Sequence, residues 1–333
     1  MSGDFAGLRV IEYRQMVQIL VMFMIVQFFG LLLATQWYYG VSPSAVYSSQ
    51  VVSGVANTIV LIAYIIGFSL LLVIIIRFYK GELFFRLLEA LVIFISAFFV
   101  FLIVGATING GAYVTIGGMQ LPVYIITGVL AAGLLVAVKN KWPRLRNTAA
   151  IIASVGVGVV LGISFPFFVA YLFMIVLAVY DFIAVFITKH MITMARAMSS
   201  MNLSFLIGVN EVEAVPERLL SKGERLEYRK EKQNIRKNNP ALRQIMDNNL
   251  VPFAARIELG TGDLGVPLML AVAAYQVNLN FTLSLFIIAG AVAGLIATMY
   301  VLRRYKRALP AIPPLLIGIS VALLIYILLY RTV

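Results

Sequence analysis

The chain reads as a succession of apolar runs, most of them about 20 residues long, separated by short polar or turn-forming breaks. Nine runs are expected to cross a bilayer, at 16–37, 55–76, 87–106, 121–138, 148–163, 166–188, 262–277, 281–301 and 310–330. The shorter ones suffice where a bundle rather than lipid surrounds them. Backbone in hydrocarbon must satisfy its hydrogen bonds within its own segment, so the expected fold class is all-α, a polytopic bundle of nine transmembrane helices. Gly158 and Gly162, like Gly290 and Gly294, are four apart and predict close helix packing. Ser164 followed by Pro166 predicts a helix cap and early-turn proline, and hence a very tight turn between spans five and six.

Composition supports the membrane reading. Of the 333 residues, 62% are hydrophobic and 12% charged, which excludes an ordinary soluble globular protein. The first run follows Arg9 and Arg14 and continues without a small-x-small cleavage site, so it is read as a retained helix rather than a signal peptide. The absence of cysteine removes disulfides, thiol nucleophiles and cysteine metal sites. The single histidine, His190, stands at the charged end of span six. It supports neither a zinc cluster nor a serine–histidine dyad.

Charge then gives orientation. All but Arg331 of the 26 Lys and Arg residues lie in the N-terminus or in the loops after spans two, four, six and eight. The positive-inside rule puts the N-terminus in the cytoplasm and the C-terminus outside, which requires an odd number of spans. The net charge of +12 is thus a topology signal and does not indicate nucleic acid as a partner. Three regions follow: 1–188 with helices one to six, a charged and partly flexible cytoplasmic loop at 189–258, and 259–333 with helices seven to nine. Within the loop, Met191, Met194, Met198 and Met201 open a stretch expected to lie on the membrane surface, and Glu211 to Lys237 is expected to be an exposed helix or disordered. The sequon at Asn280 stands too close to the membrane for a glycan.

Of fourteen acidic residues, Asp181 and Asp263 are the two expected at bilayer depth. A carboxylate there costs at least about 2.5 kcal/mol, so one that persists faces a cavity or a function. Asp181 precedes Lys189 by eight residues and Asp263 follows Arg256 by seven. At ~1.5 Å per residue both lie ~10–12 Å from the same boundary, on consecutive antiparallel helices. Two carboxyls brought together in such a medium cannot both ionise and share one proton, leaving one base and one acid. The base can deprotonate water while the acid polarises a peptide carbonyl.

Asp263 closes Gly260-Thr261-Gly262-Asp263 at the start of a span, Tyr180-Asp181 lies one helix earlier, and Pro310-Ala311-Ile312-Pro313 opens the last span. Together and in this order they resemble the G-x-G-D intramembrane aspartyl proteases, the family of presenilin and signal peptide peptidase, with Ile312 where that family has leucine. The resemblance implies that Asp181 and Asp263 are catalytic. It also implies that Gly260, Thr261 and Gly262 shape the site, that Pro310, Ala311 and Ile312 border it, and that Tyr180 packs or contacts substrate. By the same resemblance the substrates are transmembrane segments of other proteins in the lipid bilayer. No metal or organic cofactor is implied and no obligatory partner subunit is evident; the protein is a multi-pass one of the cell membrane.

The rival is a proton- or cation-coupled transporter in which the same carboxylates bind the coupling ion. It leaves the third motif unexplained and finds neither an inverted repeat nor a further charged residue within the membrane.

Overall fold

The computed structural model describes residues 6–41, 82–109, 112–116, 119–139, 141, 143–187, 206–216, 250–305 and 310–330. Backbone contacts divide the chain into two units, one of Met1–Ile19 with Gly208–Glu258 and one of Leu20–Ile207 with Leu259–Val333. Both intramembrane aspartates belong to the second.

The helices are α1 (Ala6–Gln36), α2 (Glu82–Asn109), α3 (Val123–Val138), α4 (Pro143–Ser164), α5 (Phe167–Phe182), α6 (Thr261–Asn278), α7 (Phe281–Tyr305) and α8 (Ile312–Tyr330). Six stretches among the described residues, in α1, α2, α4, α5, α7 and α8, are long and apolar enough to cross a membrane. The predicted run at 55–76 and the methionine-rich stretch at 191–205 lie outside the described residues.

Helix α6 forms the axis of the second unit. It packs against α4, α5 and α7, and every residue from Leu268 to Tyr275 is at most 1% exposed. Protein rather than lipid surrounds it, so it tolerates Asp263, Gln276 and Asn278 in only 18 residues. One glycine pair sets its surroundings. A Cβ at Gly158 of α4 would stand 2.9 Å from the Gly265 carbonyl oxygen, and one at Gly162 would stand 2.7 Å from that of Met269. A second pair joins α7 to α8 and not to α6: Gly290 and Gly294 of α7 abut the backbone of Gly318 and Pro314 in α8. Both G-x-x-x-G pairs are packing motifs, as expected.

Four expectations require correction. The protein is mostly helical rather than all-α. Strands β1 (Tyr113–Ile116) and β2 (Met119–Pro122) pair antiparallel, separated by Gly117-Gly118, a dipeptide suited to two-residue hairpins. Strands β3 (Leu206–Pro216) and β4 (Leu250–Gly260) pair with each other inside the segment read as a charged loop. Glu211–Pro216, expected to be helical or disordered, is therefore extended.

Ser164 ends α4 instead of capping α5. Its hydroxyl donates to the Val160 carbonyl at 2.7 Å, while Pro166 occupies the cap position of α5; the turn is as tight as predicted. Finally, Asp181 and Asp263 are not the only acidic residues within the spans. Glu89, near the start of α2, is 2% exposed and meets Lys139 at 2.7 Å, an ion pair joining α2 to the end of α3. The sequon asparagine has a local task of its own: Asn280 Oδ1 accepts from Thr282 N at 3.1 Å and so caps α7.

Candidate active site

Asp181 occupies the last turn of α5, where the helix passes into a π-helical turn at Ile183–Ile187. Such widened turns shift the side-chain register and concentrate at functional positions. The residue is only 4% exposed. Its partner is the start of α8: the Ile312 backbone N–H donates to Asp181 Oδ2 at 3.3 Å, and the Ala311 N–H points to the same carboxyl. The reason lies in the local sequence. A helix leaves its first four N–H groups without intrahelical acceptors, and Pro313 and Pro314 remove two of them. The two that remain, on Ala311 and Ile312, converge on Asp181. Pro310, Ala311 and Ile312 are all buried, and Ala311 and Ile312 meet Asp181 through their backbone.

Asp263 is the third residue of α6, and β4 runs directly into that helix at Gly260. Its carboxyl accepts a hydrogen bond from the Gly260 backbone, in the manner of a residue three places into a helix reaching back to its cap. Gly260 has φ −65° and ψ 141°, values open to any residue, so its glycine answers a need for space. A Cβ there would lie 3.1 Å from Asp263 Oδ2. Gly262 is different: a Cβ on it would meet nothing within 4 Å, leaving open room beside Asp263.

Helix α5 packs on α6, and the two carboxyls are close enough for the Asp181 charge to act on Asp263. The two acids picked out by depth in the sequence thus come together in one site with the Pro-Ala-Ile turn. Tyr180 departs from this cluster in being 46% exposed. Thr261 contributes through its carbonyl oxygen, which lies 3.2 Å from Ser154 Oγ of α4, a hydroxyl shared with the Ala150 carbonyl at 2.8 Å. Ser154 was not anticipated from the sequence, nor was Gln27 of α1, whose Nε2 donates to the Leu264 carbonyl at 3.0 Å. The available signal for Gln27 was an amide at the middle of the apolar run 16–37, where Gln18 and Gln36 stand near the ends.

The fold agrees with that of solved relatives. The family model described as signal-peptide peptidase, presenilin aspartyl protease matches residues 20–332. No curated protein matches significantly. Among solved structures, a presenilin family intramembrane aspartate protease in space group C222 superposes with TM-score 0.54 and 18% identity, over 93% of this chain and 95% of that one. The P2 structure of a presenilin family intramembrane aspartate protease gives 0.55 and 19%, over 93% and 96%. These matches lend no support to a transporter. The chain belongs to the signal-peptide peptidase and presenilin family of aspartyl proteases, and is an aspartic endopeptidase built into a membrane.

Proposed function

We propose that Asp181 and Asp263 are the catalytic pair and that they hydrolyse peptide bonds within transmembrane segments of other proteins. The observation that carries this reading is the meeting of Asp181 with both the Pro-Ala-Ile turn and the charge range of Asp263. One carboxyl is ionised and takes a proton from a water molecule, whose oxygen attacks the peptide carbonyl carbon. The other is protonated and gives its proton to the carbonyl oxygen. The tetrahedral intermediate then collapses as its nitrogen is protonated, and no covalent enzyme intermediate forms. Asn in place of either Asp can neither take nor give that proton.

A helical substrate offers no accessible peptide bond until it unwinds. Strand β4 ends at Gly260, three residues before Asp263, and favours a route in which unwound substrate pairs with extended backbone beside the dyad. Gly262 leaves room for that chain. The positive-inside pattern supports nine spans with the N-terminus and the 189–258 segment in the cytoplasm and the C-terminus outside. Incubating purified protein with a labelled single-span peptide and mapping the products by mass spectrometry tests the proposal. Cuts inside the apolar span are expected; cuts confined to the polar flanks would overturn it.

A further inference from the structure

The first turn of α6, which carries Asp263, is weakened from within. Pro267 lies inside the helix and has no N–H, so the carbonyl of Asp263 itself, four residues earlier, loses its intrahelical donor. The rung that should tie the aspartate's own peptide unit to the next turn is missing. Two side chains from other helices attach on either side of the gap. Ser154 Oγ of α4 is directed at the Thr261 carbonyl at 3.2 Å, two residues before Asp263, while also within 2.8 Å of the Ala150 carbonyl. Gln27 Nε2 of α1 donates to the Leu264 carbonyl at 3.0 Å, one residue after.

Both donors are built into the core. Gln27 is 0% and Ser154 2% exposed. They reach the α6 backbone because neighbouring glycines admit it: a Cβ at Gly158 would stand 2.9 Å from the Gly265 oxygen, and Gly30, one turn from Gln27, abuts the Leu268 side chain. Gln27 moreover leaves its Oε1 buried and, among the described residues, without a partner. A leucine would fill similar volume with no such orphan, so packing alone does not account for an amide here. What the amide adds is the donor.

We propose that Gln27 and Ser154 are positioning residues that brace the backbone on either side of the missing rung and hold the Asp263 carboxyl in register with Asp181. They touch neither water nor substrate; they act through the backbone on which Asp263 stands. The proposal rests on Asp263 being catalytic, and the test separates the two. Full-length purified protein is assayed on the labelled single-span peptide for kcat, KM and melting temperature, as wild type, Asp263→Ala, Gln27→Leu, Ser154→Ala, Ser154→Thr and Ser284→Ala. Ser284 is the comparison because its hydroxyl donates at 2.8 Å to the Ala271 carbonyl of the same helix, two turns past Leu264.

The expected result is a fall in kcat of about tenfold or more in Gln27→Leu and Ser154→Ala with KM changed by less than about twofold, since a small misplacement of a reacting group costs rate more than binding. Ser154→Thr, which keeps the hydroxyl, restores most of the rate, and Ser284→Ala keeps it. Wild-type kcat in both Gln27→Leu and Ser154→Ala, with Asp263→Ala inactive, overturns the positioning role alone. An equal fall in Ser284→Ala overturns it too, by showing that any lost donor to α6 suffices. Activity in Asp263→Ala overturns the dyad and the positioning role together. Should Gln27→Leu fail to fold, the Ser154→Ala and Ser154→Thr pair decides the matter.

Discussion

The backbone N–H of Ile312 donates to Asp181 Oδ2 across 3.3 Å, between residues 131 positions apart in the chain. Helix α8 thus begins on the carboxyl that ends α5, and two prolines ensure that few other donors are present at that helix start. Ile312→Pro tests the bond directly. Proline is tolerated at the first position of a helix, so the substitution removes the N–H without breaking α8, and Ile312→Val, which trims the buried side chain but keeps the N–H, serves as its control. Hydrogen bonds to a charged group are worth about 1.5–3 kcal/mol, and kcat on a single-span peptide should fall by about tenfold or more while the protein stays folded. An unchanged kcat would show that the bond has no catalytic consequence.

Gly260 and Gly262 should respond differently to the same change. Gly260→Ala sets a Cβ 3.1 Å from Asp263 Oδ2 and displaces the carboxyl, so kcat falls with KM little altered. Gly262→Ala meets nothing within 4 Å and leaves Asp263 in place, so its cost appears in KM as substrate room is filled. Steady-state kinetics of the two variants checks this; the reverse pattern would contradict the placement of the substrate chain.

The rate should follow a bell-shaped pH dependence. Activity needs one carboxyl ionised and the other protonated. On the acid limb both are protonated and no base remains; on the alkaline limb both are ionised and no acid remains. Measuring kcat/KM between about pH 4 and 8 decides it, because a flat profile is incompatible with a shared proton.

Much of this site is legible in the sequence because of the cost of charge in a bilayer. Asp181 and Asp263 stand out as carboxyls in apolar runs expected at matched depth, and hydrocarbon leaves the backbone of those runs little choice but helix. Strand β4 was less legible, although Val251, Phe253, Ala255, Ile257 and Leu259 alternate with other residues at the period of a strand. The surrounding charge suggested a solvated loop and masked that alternation. Gln27 and Ser154 escaped for another reason: their partners are carbonyl oxygens, which every residue has, so no sequence pattern marks the pairing. Glu89 lies within the predicted run at 87–106, yet nothing in the sequence ties it to Lys139, and only tertiary packing brings the two together.

That buried pair gives a stability prediction independent of catalysis. Glu89→Gln leaves the Lys139 charge, 2% exposed, without its carboxylate, at a cost of about 3–5 kcal/mol. Replacing both partners with apolar residues, Glu89→Leu with Lys139→Met, removes both buried charges together and should recover most of the loss. Thermal unfolding of the two variants checks it; a double variant as unstable as the single one would contradict the argument.

The central claim is that two aspartates act as one unit, and the most direct measurement compares wild type with Asp181→Asn, Asp263→Asn and the double variant on a labelled single-span peptide. Asparagine preserves size and removes only the ability to carry the shared proton. The account predicts that each single variant stays folded and loses activity by about a thousandfold or more, and that the double variant is no worse than either, as expected for residues acting together. Substantial cleavage by either single variant would contradict it.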